Sequence, residues 1–217
     1  MSLVFHGHPL SSFCWKVLIA LYENGTSFTF KLLKNLGDPE DRAAFAALWP
    51  IAKMPVLEDL GRGEVVAETP VIIDYLDLHY PGPVRFVPEE AEAARETRFR
   101  DRVFDLYVQV PMQKVVGDRL RPAGQRDPFG VAEARTLMAT ALGMVDAQVV
   151  GKSWATGEDF GLADCAAAPA LFYADKVQPI AADFPNAAAY LERLKARPSF
   201  ARVLEEAEPW FQYFPEE

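Results

Sequence analysis

The change of hydrophobic period around the Pro81–Pro88 stretch is the tightest constraint on how this 217-residue chain can fold. Before it, short strand-like runs alternate with helical stripes. After it, every periodic run has helical spacing. Leu3–His6 reads as a strand, and Cys14, Val17, Leu18 and Leu21 lie at i, i+3, i+4 and i+7, a helical stripe that stops at Asn24-Gly25. Ser27–Leu33 alternates β-forming residues, and Pro39–Leu48 is weakly helical. Pro55–Glu58 and Glu64–Ala67 pair as a hairpin turning at Gly61-Arg62-Gly63. A helix over Thr69–Tyr80 closes a β-α-β-α-β-β-α order within residues 1–80. Residues 81–88, with three prolines and a glycine, read as a linker. Residues 89–217 form an all-helical domain, with helices expected over Glu89–Asp118, Pro128–Val150, Leu162–Val177, Pro185–Ala196 and Ser199–Ala207. Pro111 should kink the first of them.

Composition narrows the class of function. Half of the residues are hydrophobic and 24% are charged, an ordinary globular profile. No apolar run reaches the length of a membrane span, and no basic region precedes the apolar N-terminal residues, so neither a membrane helix nor a secretory signal is expected. The net charge of −9 is shared between the two parts of the chain, which argues against a nucleic-acid partner. Arg95, Arg98, Arg100 and Arg102 could form an anion patch. Glu96, Asp101 and Asp105 lie at helical spacing to pair with them, which makes a solvated, ion-paired helix face the simpler reading. Cys14 and Cys165 are far apart and lack Cys-x-x-Cys spacing, as in a reduced, cytoplasmic protein. His6, His8 and His79 have no metal-binding partners at suitable spacing, so no metal is expected.

Three segments carry chemistry. Ser11-Ser12-Phe13-Cys14 lies between the first strand and the first helix, where unpaired amides carry partial positive charge and stabilise a thiolate. Ser11 can act as a plain N-cap or donate a hydrogen bond to that thiolate, and Ser12 is its rival. Cys14 shares the buried stripe of Val17, Leu18 and Leu21 and reads as a small core residue. Lys53-Met54-Pro55 opens the third strand: if its prolyl bond is cis, the Met54 backbone is freed to pair with an extended peptide, and Lys53 could meet a carboxylate. Glu68-Thr69-Pro70 starts a helix, with Thr69 read as the N-cap. Its amide and hydroxyl could hold a carboxylate while Glu68 pairs with an ammonium group. Two further segments read as structural. Gly161 and Asp164 form the cap and N3 positions of a helix start flanked by Phe160 and Cys165. The aromatic tail Trp210–Phe214 either staples the C-terminus to the core or closes over an apolar pocket.

In their order and spacing these segments resemble the glutathione transferase family, over nearly the full length of the chain. The resemblance implies a thioredoxin-like N-terminal domain followed by an all-helical C-terminal domain. It also implies a homodimer using the helix near Glu89 and its successor, and glutathione as co-substrate. Ser11 falls where serine-type members keep the activating hydroxyl, with Ser12 and Phe13 beside it in the glutathione site. Met54 and Pro55 fall on the cis-proline pair, Lys53 where a polar residue meets the glycyl carboxylate, and Glu68 and Thr69 on the γ-glutamyl-binding pair. Members usually have Ser or Thr where Gly161 stands, and a glycine cap costs only about a few tenths of a kcal/mol relative to those. The Ser-Ser-Phe-Cys-Trp-Lys run is similar to the zeta-type members that isomerise maleylacetoacetate, except that those have cysteine at the position of Phe13.

The leading expectation is a transferase that activates the glutathione thiol for attack on a hydrophobic electrophile. Its pocket would draw on Tyr107, Met112, Tyr173 and the aromatic tail. The alternatives are a glutathione-dependent isomerase, a non-catalytic binding protein with the same fold, and a thiol reductase using Cys14.

Overall fold

The computed structural model describes residues 2–34 and 37–215. Strand β1 (Leu3–Gly7) lies inside a mixed sheet of order β2-β1-β3-β4, in which β2 spans Thr29–Leu32, β3 Val56–Asp59 and β4 Glu64–Ala67. β1 is parallel to β2 with Phe5 opposite Phe30, and antiparallel to β3 with Phe5 opposite Leu57. Parallel neighbours need a crossover, and helix α1 (Ser12–Glu23) supplies it. β2 begins two residues later than the alternation predicts, leaving Ser27 and Phe28 outside the ladder.

Helix α1 ends as its sequence requires. Gly25 takes φ +59, and the Thr26 and Gly25 amides bond to the carbonyls of Leu21 and Tyr22 at 2.9 and 3.2 Å, a Schellman closure. Helix α2 (Pro39–Leu48) is capped by Asp38, whose carboxylate accepts the Glu40 and Asp41 amides. Helix α3 (Thr69–His79) begins one residue away from expectation. Glu68, not Thr69, is the N-cap, at φ +69 and ψ 122 and with no side-chain cap bond. The left-handed value at a non-glycine residue turns the chain sharply from β4 into α3.

The helical part begins with α4 (Ala91–Val103), which runs through a π-helical segment, Phe104–Gln109, into α5 (Val110–Arg119). The π segment answers the expected kink. Pro111 has no amide and its ring crowds the Tyr107 carbonyl, so the regular α-helical ladder is disfavoured there. The chain widens instead, and the Val110 amide bonds to the Asp105 carbonyl five residues back. Helices α6 (Pro128–Gln148), α7 (Leu162–Val177), α8 (Pro185–Lys195) and α9 (Pro198–Ala207) follow, then a 3-10 segment over Glu208–Tyr213. Past residue 80, among the described residues, β structure is confined to an isolated Trp154–Gly157 bridge. The fold is therefore a thioredoxin-like unit followed by a helical one.

Helix α1 joins the two. Trp15, Val17, Ile19 and Leu21 are all fully buried, and α1 packs on α3, α7 and α9. The linker is pinned rather than slack. The Asn24 side-chain amide both donates to the Val84 carbonyl and accepts its amide at 2.9 Å, and Asp77 accepts the Phe86 and Val87 amides. The start of α7 is equally fixed. Asp164, fully buried, accepts the Gly161 amide at 2.9 Å, the Ala155 amide at 2.8 Å and the Tyr190 hydroxyl. Here the structure revises the sequence expectation for Gly161. A Cβ there would lie 2.8 Å from the Phe86 carbonyl oxygen, which also accepts the Leu162 amide. Close approach of the linker, not cap preference, requires glycine at this position.

Candidate glutathione and electrophile site

Two cavities meet at the start of α1. The first, about 250 Å³, is a polar cleft whose inner wall holds Phe13, Lys53, Met54, Pro55, Glu68 and Thr69. Six of the residues singled out from the sequence thus share one cleft. The Met54–Pro55 peptide is cis. At α3, the first amides have no intrahelical acceptor and form the positive end of the helix, and Glu68 and Thr69 set that end in the cleft wall.

The opposite wall was foreseen only in part, through Arg102 and Asp105 as members of an ion-paired helix face. It consists of Arg102, Asp105, Leu106, Val110 and Gln113, from the end of α4, the π segment and α5. Their spacing of three or four residues is a helical stripe, and that periodicity was the available signal. A buried ion cluster holds this wall to α1. Lys16, 1% exposed, places its Nζ 2.5 Å from Asp101 Oδ1 and 2.8 Å from Asp105 Oδ2, and Arg102 Nη1 lies 3.1 Å from the same Asp105 oxygen. Burial pushes the Asp101 carboxyl up to about 6, against the opposing pull of the Lys16 ammonium. The arginine patch is largely ion-paired. Arg95 meets Glu92, Arg100 meets Glu96, and Arg98 lies 3.7 Å from Asp74.

The second cavity, about 440 Å³, is apolar. Leu10, Ser11 and Ser12 form one edge, Met112, Val116 and Leu120 a second, and Tyr173, Tyr213 and Phe214 a third. Gln113 lines both cavities. Met112 and Tyr173 are where the electrophile pocket was expected to find them, whereas Tyr107 is 45% exposed and lines neither cavity. The aromatic tail does both of its suggested jobs. Phe211 packs on Trp15 and Phe172, while Tyr213 and Phe214 face the apolar cavity.

The turn before α1 separates its three candidate nucleophile-activating side chains. Ser11 is the N-cap: its Oγ accepts the Cys14 amide at 3.3 Å, which leaves the hydroxyl hydrogen available for donation. Ser12 is 4% exposed, and its Oγ accepts the Gln109 side-chain amide. Cys14 is fully buried, and burial pushes its thiol up to about 11 despite opposing hydrogen bonds from Ser11 and the His8 backbone amide. A protonated, inaccessible thiol is a poor nucleophile. Cys165 is also free and fully buried. Among the described residues there is no group of three His, Cys, Asp or Glu side chains that could hold a metal, and no helix is long and apolar enough to cross a membrane.

Comparison with known proteins agrees with this geometry. Residues 5–84 match the family model of the glutathione S-transferase N-terminal domain, and residues 128–193 that of its C-terminal domain. This chain belongs to the glutathione S-transferase family. Among solved members of the family, it is similar to a glutathione S-transferase of Methylobacillus flagellatus KT with glutathione bound, at a TM-score of 0.83 and 26% identity, covering 93% of this chain and 98% of that one. It is 28% identical to the FtsZ-localized protein A of Caulobacter vibrioides, over 94% of this chain and 91% of that protein. It is 25% identical to the maleylacetoacetate isomerase of Pseudomonas aeruginosa, over 89% and 91% respectively. The chain is thus similar to proteins of different names, a glutathione S-transferase, an FtsZ-localized protein and an isomerase.

Proposed function

We propose that the protein is a glutathione transferase that activates the glutathione thiol with Ser11 and directs it at a hydrophobic electrophile. The supporting observation is that the start of α1 lends Phe13 to one cavity and Ser11 and Ser12 to the other. The polar cleft gathers the helix-start and cis-proline residues, the apolar pocket lies on the other side, and Gln113 lines both. In this reading Glu68 and Thr69 receive the γ-glutamyl group, the Met54 backbone pairs with the cysteinyl residue, and Lys53 meets the glycyl carboxylate. Phe13 flanks the sulfur, and Ser12 serves through its backbone position while its hydroxyl braces Gln109. Ser11 donates its hydroxyl hydrogen to the thiolate. Bringing a thiol from about 8.5 to near 7 takes roughly 2 kcal/mol, within the reach of one charge-assisted hydrogen bond of about 1.5–3 kcal/mol. The electrophile then approaches from between Met112, Tyr173 and Phe214, and the assembly is a homodimer.

The test is calorimetry with reduced glutathione, followed by conjugation assays over a panel of aryl halides, epoxides and a cis-dienone. Micromolar to millimolar binding with turnover of an aryl halide or epoxide is expected. Turnover of the cis-dienone alone points to the isomerase, as does the similarity to maleylacetoacetate isomerase. The similarity to FtsZ-localized protein A favours a second reading, a binding protein that keeps the fold, and glutathione binding with no turnover across the panel would select it. No heat with glutathione removes both catalytic readings.

A further inference from the structure

The polar cleft holds two cations from opposite parts of the fold. Lys53 stands beside the cis-proline turn, and Arg102 comes from the last turn of α4. Among the described residues they are the only cationic side chains that line it. Arg102 is anchored yet available. Its Nη1 lies 3.1 Å from Asp105 Oδ2, which engages one of the five N–H donors of the guanidinium, and 46% of its side-chain surface is exposed. The same Asp105 oxygen meets the buried Lys16 ammonium at 2.8 Å, so the Asp105 charge does not depend on Arg102 alone.

Glutathione brings two carboxylates and one ammonium group to this cleft. In the proposed reaction Lys53 meets the glycyl carboxylate and Glu68 the γ-glutamyl ammonium. The γ-glutamyl carboxylate is bonded to the same carbon as that ammonium, so the Glu68 charge that attracts one repels the other. The start of α3 offers this carboxylate only amides, a hydroxyl and partial positive charge. A full cation is needed to balance Glu68, and Arg102 lines the same cleft as Glu68 and Thr69. We propose that Arg102 is a specificity-determining residue that receives the γ-glutamyl carboxylate, so that the co-substrate is gripped from both domains.

This assignment rests on the transferase reading and deepens it. A guanidinium matches a carboxylate with two parallel hydrogen bonds, a geometry that the lysine ammonium lacks. Asp105 holds the Arg102 side chain in the cleft wall before any ligand arrives, which lowers the ordering cost of binding. Arg102 does not line the apolar pocket, so its charge belongs to the co-substrate rather than to the electrophile. A thiol peptide without the γ-glutamyl carboxylate would therefore be discriminated against by a residue of the helical domain.

The test is calorimetry on the intact protein with three ligands: reduced glutathione, its glycyl ethyl ester, and 4-aminobutanoyl-cysteinyl-glycine, which lacks the γ-glutamyl carboxylate. Arg102→Met and Arg102→Lys are compared with the parent after a check that their unfolding midpoints stay close to it. Arg102→Met should raise the dissociation constants of glutathione and of the ester at least tenfold, and that of the 4-aminobutanoyl peptide less than threefold. Arg102→Lys, which keeps the charge and loses the fork, should fall between. Equal losses with all three ligands, the mark of a disturbance passed through Asp105, overturn the proposal. A loss that disappears with the ester also overturns it, because the guanidinium would then serve the glycyl end. So do unchanged constants, including the case where Arg102→Met raises only the KM for 4-chloro-3,5-dinitrobenzoate, which would move the guanidinium to a carboxylated electrophile. A parent that gives no heat with glutathione removes the transferase reading and this assignment together, whereas each of the other outcomes leaves that reading standing.

Discussion

The polar cleft at Phe13 and the apolar pocket at Ser11 are made by different means. The inner wall of the cleft is shaped by backbone features: a cis peptide at Met54–Pro55, a left-handed residue at Glu68, and the open end of α3. Its outer wall is held by the buried Lys16, Asp101 and Asp105 cluster. The pocket is made of side chains from the α1 turn, α5, α7 and the tail, with Leu120 70% exposed at its mouth. A surface of backbone groups and buried charges changes little without disturbing the fold. A surface of exposed aliphatic and aromatic side chains can be rebuilt by single substitutions. The cleft is thus suited to an invariant co-substrate, and the pocket to a variable one.

The largest effect is expected at the boundary. Ser11→Ala should lower the conjugation rate by about 100-fold or more, about 3 kcal/mol, with glutathione affinity changed less than about threefold. Ser11 also caps α1, so unfolding should show a loss of about 1 kcal/mol. Steady-state kinetics beside calorimetry separates the two roles. Ser12→Ala serves as the control, since that hydroxyl is spent on Gln109. A larger rate loss in the Ser12 variant would transfer the activating role to it.

Glu68 permits a test in which function and stability move in opposite directions. A non-glycine residue at φ +69 and ψ 122 is strained by about 1–3 kcal/mol, a cost that glycine escapes. Glu68→Gly should therefore raise stability by up to about 1 kcal/mol, part of the relief being lost to chain entropy. The same change removes the carboxylate proposed to meet the glutathione ammonium, so affinity should fall by about tenfold. Denaturant unfolding and calorimetry on one sample give both numbers. A loss of stability would mean that the Glu68 side chain supports the fold rather than the ligand.

The sequence made the cleft far more legible than the pocket. Met54-Pro55, Glu68 and Thr69 could be named because strand starts and helix starts leave short, local signatures. Cys14 could be set aside because it shared a stripe with Val17 and Leu21, and the structure buries it completely. The one-residue shift of the α3 cap was not legible, because Thr-Pro is a good helix start whichever residue caps it, and only the tertiary turn from β4 selects Glu68. Gln113 escaped, and Arg102 and Asp105 were legible only as an ion-paired helix face, for a related reason. Their stripe was visible as period, but the π segment before Pro111 sets which residues face the cleft, and only the packed structure gives that register. The burial of Lys16 left no local mark at all, since its two carboxylate partners lie more than 80 residues away.

The buried cluster makes a pH prediction of intermediate size. Asp101 has its pKa raised from 3.8 to about 6 in the folded protein, so the native state holds a proton that the unfolded chain releases. Stability from this group is fully present below about 3.8 and declines as pH rises through about 6. Asp101→Asn removes that decline while keeping a polar partner for Lys16. Relative to the parent, the variant should gain on the order of 1–2 kcal/mol between pH 4.5 and 7 in urea unfolding. A constant difference across that range would show that Asp101 stays ionised beside Lys16.

The smallest effect belongs to the pocket and bears most directly on the contrast between the two sites. Leu120 is largely exposed and lies on the apolar side alone. Leu120→Ala forfeits only part of one side chain's contact with the electrophile, of order 0.5–1 kcal/mol. The KM for a bulky electrophile should rise about two- to fivefold, while the KM for glutathione and the unfolding midpoint stay as they were. If the glutathione KM rose in step with that of the electrophile, the two surfaces would be coupled through Gln113 or the α1 turn. The pocket could not then be respecified without cost to the cleft.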